Sequence, residues 1–192
     1  MTDELVDRID ASLEKDEAQL KADLPGLLDE IAGQERRLIA DNPEVFSRVV
    51  GRMETIDIES FYADEPAAAD QFLDLLWTGV NLLVENGPSI QEQITTDIVA
   101  NFEADDCPMA GHLEVDADEE TVTGGTGLAD DADLVLTGPA DTLTALITGG
   151  TDPIQGFMTQ EYELDGSVQK GTQLASVMGE ITDSVPTQHA AD

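Results

Sequence analysis

Asp133 to Met178 reads DLVLTGPADTLTALITGGTDPIQGFMTQEYELDGSVQKGTQLASVM, which spells strand, helix, short helix, strand, glycine, helix in that order. Leu134 and Leu136 alternate with Val135, and Tyr162 and Leu164 alternate with Glu161, Glu163 and Asp165. This is the period of two expected of half-buried strands over about 133–137 and 160–165. Between the strands, Pro139 suits a first helical turn, Leu143, Leu146 and Ile147 line one face, and Gly149-Gly150 stop the helix. Asp152-Pro153 opens a short second helix that delivers Phe157 and Met158. A last helix, from about 167 to 179, carries Val168, Gly171, Leu174, Ala175 and Met178 on one face.

Upstream, the period is also two from about residue 94. Ile98, Ala100 and Phe102 alternate with Val99, Asn101 and Glu103, and Leu113 and Val115 with His112, Glu114 and Asp116. A short third strand at Thr121–Thr123 precedes a glycine-rich turn, Gly124-Gly125-Thr126-Gly127. That makes five strands. Hairpin strands followed by helices predict an α+β fold with a mainly antiparallel sheet. Pro66 to Glu85 is a helix apolar over most of its circumference, with one polar strip of Asp70, Asp74, Thr78, Asn81 and Glu85. Such a helix is enclosed, packing on a sheet on one side and meeting helices, a subunit or a ligand on the other. Residues 1–57 read as helices, with Pro25-Gly26 as a break or kink and Asn42 as N-cap of a helix carrying Val45, Phe46, Val49, Val50 and Met53. Residues 58–64 read as a connection.

The charge is the compositional outlier: 8 Lys plus Arg against 42 Asp plus Glu gives −34 over 192 residues. It disfavours nucleic acid and anionic membrane surfaces as partners. The carboxylates are scattered rather than blocked, and lysine is confined to Lys15, Lys21 and Lys170. This pattern suits a whole surface adapted to molar salt, where the screening length is about 3 Å. A 41% hydrophobic content is enough for a packed core. The lone Cys107, with no signal segment or apolar run long enough to span a bilayer, points to a cytoplasmic protein without stable membrane insertion.

The ordered features of residues 133–178 resemble the sterol carrier protein type 2 family. They are Asp133 ahead of a strand, Leu143, Leu146, Ile147 and Gly149 in a helix-then-glycine pattern, and Phe157, Met158, Tyr162, Leu164 and Gly166 leading through the last strand. The resemblance extends over roughly 60–182. Glu161, Glu163 and Asp165 stand where that family has basic residues, and Gln160 where it has a glycine. The resemblance implies a five-stranded sheet covered on one face by helices, with a tunnel between the layers for a sterol, acyl chain or similar apolar lipid. Its expected lining is Phe102, Leu113, Leu134, Leu136, Leu146, Phe157, Met158, Tyr162, Leu174 and Met178, all of which would also face inward in a solid core. The expected organisation is a helical extension at 1–57, a lipid-binding domain at 58–182 and a flexible tail at 183–192. The alternative is an accessory module, for example in lipid or quinone biosynthesis, with a filled core and a protein partner or self-association through the N-terminal helices.

No constellation supports catalysis, a cofactor or a metal. His112 and His189 are far apart. Cys107 sits beside Asp106, which raises a thiol pKa rather than activating it. Asp116-x-Asp118-x-Glu120 lacks the later glycine and glutamate of a calcium loop, and the glycine run at 124–127 lacks the lysine and helix of a phosphate cradle.

Overall fold

The computed structural model describes residues 2–53 and 55–184. Its sheet comprises β1 (Ile98–Ala104), β2 (Ala110–Asp116), β3 (Thr121–Thr126), β4 (Leu134–Gly138) and β5 (Glu163–Gly166). Their order is β3-β2-β1-β4-β5, and every pair is antiparallel except β1 with β4. The register sets Ala100 opposite Leu113 and Leu134, Phe102 opposite Gly111 and Leu136, and Val115 opposite Ile98 and Val122. One face is therefore mainly apolar, with Ile98, Ala100, Phe102, Leu113, Val115, Val122, Leu134 and Leu136 buried, while Glu103, Glu114, Glu163 and Asp165 stand on the other. The fold is α+β, as the periodicity predicts.

Helices α6 (Pro66–Asn86) and α8 (Ala140–Thr148) pack on the sheet, and α10 (Val168–Ser184) packs against both and brings Gly171 close to Leu134 and Leu164. Around them lie α5 (Ile58–Asp64), α7 (Pro88–Gln91) and α9 (Pro153–Met158). Trp77 of α6 lies on Gly124, where a Cβ would fall 2.5 Å from its Cδ2, and its ring meets Phe102 at 5.8 Å. That packing explains one departure from the sequence reading: Gly124 and Gly125 continue β3 rather than making a turn. Asp106 accepts the Ala140 N–H at 3.0 Å and so caps α8 from across the fold. Gly149, at φ +83°, ends that helix as expected. The expected N-cap Asp152 accepts from the Gln155 N–H at 2.8 Å.

Asp133 fastens the quoted stretch to the sheet. Its carboxylate accepts the Val99 N–H at 3.0 Å and pairs with Lys170 of α10 at 2.7 Å. Gly166 is required beside it: at φ +117°, a Cβ there would fall 2.2 Å from the Asp133 carbonyl oxygen.

The N-terminal region forms α1 (Thr2–Leu13), α2 (Glu17–Ile31), α3 (Glu35–Asp41) and α4 (Pro43–Met53). Pro25 does not break α2, which buries Leu20, Leu24, Leu27, Leu28 and Ile31. That burial, at about 1.5–3 kcal/mol per side chain, outweighs the proline penalty of about 3 kcal/mol. Residues 58–64 are helix α5 rather than a connection, because Asp57 caps Ser60 N–H and Asp141 receives Ile58 N–H, both at 3.0 Å. Asn42 works backwards: its side-chain amide donates to Leu38 O at 3.3 Å, closing α3 instead of capping α4. The last strand starts at Glu163, later than expected, and α10 continues through Asp183 to Ser184. The expected tail is therefore helical in its first two residues, and 185–192 lie outside the described residues.

Candidate functional site

Eight of the ten expected lining residues join one core: Phe102, Leu113, Leu134, Leu136, Leu146, Tyr162, Leu174 and Met178 are all buried. Phe157 and Met158 do not point inward. They are 49% and 78% exposed, and the inward expectation for both is corrected. The cause lies in α9, whose buried inward residue is Gly156. A Cβ on Gly156 would fall 3.1 Å from the Tyr162 ring, and the Tyr162 hydroxyl donates to Pro153 O at 2.5 Å. Tyr162 thus holds the inward place, and Phe157 rests against its ring at 6.3 Å from the solvent side.

Several cavities lie among the helices of the described residues. The more apolar of the larger two is about 330 Å³, lined by Ile39, Ala40, Pro43, Phe46, Gly79 and Leu82 together with Ser47, Leu83 and Asn86. It sits in the seam between α3–α4 and α6. A narrow continuation of about 30 Å³ shares Phe46, Ser47 and Leu83 and is otherwise lined by Val50, Leu76, Val80, Ile147, Thr148, Ile181 and Thr182. The seam therefore leads from the N-terminal helices into the junction of α6, α8 and α10. Its volume falls at the lower end of the range of about 300–1,000 Å³ typical of ligand sites.

The walls are apolar, and the polar groups in them are satisfied by their own helices. Ser47 Oγ donates to Pro43 O at 3.1 Å, and Asn86 Nδ2 to Leu82 O at 2.8 Å. Arg36, the nearby cation on α3, is held by Asn81 and Glu85 of α6. The sequence pattern placed Phe46 on an apolar helical stripe and left α6 with more apolar surface than a sheet can cover, but it did not assign this seam. The available signal was Gly79 in the middle of a 21-residue helix.

Elsewhere the chemistry is sparse. His112 Nδ1 donates to Gly127 O at 3.0 Å. The Cys107 thiol is pushed up, first by burial and then by Asp106 and Glu59. Burial also raises Asp70 and Asp74 on α6, and raises the Tyr62 hydroxyl more strongly. Asp116 accepts the N–H groups of Asp118 and Glu119 at 2.9 and 2.8 Å, which makes the acidic run a hairpin turn. Among the described residues, no group of three His, Cys, Asp or Glu is gathered to hold a metal. No described helix is long and apolar enough to cross a membrane.

Residues 95–179 match the SCP-2 sterol transfer family, so the resemblance read from the sequence is shown over β1 to α10. Helix α6 lies outside the matched segment. Among solved structures, the chain is similar to a UbiJ-SCP2 ubiquinone synthesis protein at 16% identity and TM-score 0.44, covering 55% of this chain and 91% of that one. It is similar to sterol carrier protein 2 from Yarrowia lipolytica in its apo form at 20% identity and TM-score 0.40, covering 59% and 92%. It is also similar to the inverting sec-alkylsulfatase Pisa1 from Pseudomonas sp. at 13% identity and TM-score 0.41, covering 92% of this chain and 29% of that one. A search of curated proteins finds no match.

Proposed function

We propose that this chain, whose residues 95–179 match the SCP-2 sterol transfer family, binds an apolar lipid without catalysis and holds it for transfer or presentation. The observation that carries the reading is the apolar cavity of about 330 Å³ between α3–α4 and α6. Each methylene moved out of water there is worth about 0.8 kcal/mol, so an isoprenoid, acyl or sterol-like compound gains affinity without a charged contact. In this reading residues 1–57 are not a separate module but one wall of the site, and residues 58–182 form the other. Phe102, Leu113, Leu134 and Leu136, the expected lining of a tunnel between sheet and helices, are buried in the core, so in this reading a lipid there would have to displace packed side chains.

The ligand carries no negative charge. The nearby cation Arg36 is held by Asn81 and Glu85, so it is not free to hold an anionic headgroup in the seam. Seven of the eight basic residues are in ion pairs, and the eighth, Arg52, donates to Leu13 O, Lys15 O and Thr55. A chain with 42 acidic and 8 basic residues offers few cations to pair with a phosphate backbone, which argues against nucleic acid as a partner.

The accessory-module alternative is favoured by one observation, the exposed apolar group Ile154, Phe157, Met158 and Val168 on α9 and α10. The N-terminal helices are less suited to assembly, because α2 and α3 pack on α6 and α1 and α4 pack on their N-terminal neighbours. Organic extraction and mass spectrometry of protein purified without denaturant in molar salt separates the two. A stoichiometric neutral lipid supports the carrier. An empty extract from folded protein favours the accessory module.

A further inference from the structure

We propose that Phe46 is the residue that sets the length of ligand the seam accepts, with its ring acting as a partition seated in a notch cut by Gly79. This inference rests on the binding reading above and specifies its selectivity. Phe46 belongs to the walls of both the cavity of about 330 Å³ and the continuation of about 30 Å³, and so do Ser47 and Leu83. The notch is exact in size: a Cβ on Gly79 would fall 2.2 Å from Phe46 Cζ and 2.5 Å from Cε1. No other side chain is among the three atoms nearest that point.

A glycine in the interior of a helix costs about 1 kcal/mol relative to alanine. At Gly79 that cost coincides with room for one ring from α4 against the backbone of α6. Beyond the ring, the continuation is walled by Val50, Leu76, Val80, Ile147 and Ile181 together with Thr148 and Thr182, whose hydroxyls donate to Ala145 O and Met178 O of their own helices, so the space that Phe46 closes off would suit more of the same chain. A ligand that fills the larger cavity therefore comes up against Phe46. Apolar surface extending past that point stays in water unless the ring moves. The partition acts through steric volume alone, since neither the ring nor Gly79 carries a titratable group.

The test is displacement of the neutral dye Nile red by unbranched primary alcohols of increasing length, in molar potassium chloride. The wild type should tighten about fourfold per added methylene until the chain reaches the ring, and then level off. Phe46→Ala should move the plateau to longer alcohols, with at least about tenfold tighter binding of the longest ones. Phe46→Met, which keeps an apolar side chain of similar reach, gives an intermediate plateau and covers the case in which the alanine variant fails to fold. Gly79→Ala drives the ring out of its notch into the cavity and should weaken the whole series about tenfold without loss of helix content. A plateau at the same length in wild type, Phe46→Met and Gly79→Ala overturns the partition while leaving lipid binding intact. Absence of dye binding by the folded wild type overturns the binding reading, and the partition with it.

Discussion

Replacing Asp133 by alanine and by asparagine separates two interactions that meet in one carboxylate. Oδ2 accepts the Val99 N–H at 3.0 Å, and Oδ1 pairs with Lys170 at 2.7 Å with both side chains about 30% exposed. Asparagine can still accept the Val99 N–H but loses the ion pair, a surface contact worth about 0–1 kcal/mol. Alanine also strands a part-buried strand donor, at about 1–3 kcal/mol. Both variants remove one negative charge from a chain at −34, so any relief of general repulsion cancels when they are compared. Alanine should therefore be less stable than asparagine by about 1–3 kcal/mol in urea unfolding at fixed molar salt. The sign of the pH effect follows from the lowered folded-state pKa, caused first by Lys170 and then by the Val99 N–H. That contribution is fully present above the unfolded value of 3.8 and is lost as pH falls through the lower folded value. Equal stability of the two variants, or a wild-type advantage that persists unchanged at low pH, would refute the assignment.

Gln160 lies at φ +60°, a left-handed conformation that costs a side-chain-bearing residue about 1–2 kcal/mol. After glycine's own entropic cost, Gln160→Gly should stabilise the protein by about 0.5–1 kcal/mol in denaturant melts, and a loss of stability would contradict the backbone geometry. Asp74 has its pKa raised chiefly by burial, so the folded state binds more protons than the unfolded one just above pH 3.8 and stability falls as pH rises through that window. Asp74→Asn should flatten this part of a stability–pH profile, and an unchanged slope would remove Asp74 as its source. With 42 acidic and 8 basic residues, the melting temperature should rise from low to molar potassium chloride, and a flat profile would remove the proposal that this surface is adapted to salt.

The strands and helix stops of residues 133–178 were legible because each carries a local signal: alternation at Leu134 and Leu136, Gly149 for a left-handed cap, Asp152 for an N-cap. What failed was decided at longer range. Asp141, far along the chain, holds the N-terminus of α5, so 58–64 coils where no local pattern was clear. Trp77 needs a residue without a side chain beneath it, so Gly124 belongs to a strand. Phe157 and Met158 looked like core because they are apolar, but Tyr162 reaches the interior first through its bond to Pro153 O. The seam itself depends on how α4 meets α6, a matter of tertiary packing. The sequence held only its two ingredients, a helix too apolar for one partner and a glycine in its middle.

The central claim is that an apolar ligand sits between α3–α4 and α6. A neutral long-chain alcohol carrying a photoreactive diazirine, cross-linked to the intact protein in molar salt and mapped by peptide mass spectrometry, tests it directly. Saturable adducts within residues 39–47 and 79–86, competed by unlabelled alcohol, are the predicted result. Saturable adducts on β1, β2 or β4 instead would return the ligand to the sheet, and labelling that no competitor reduces would contradict the account.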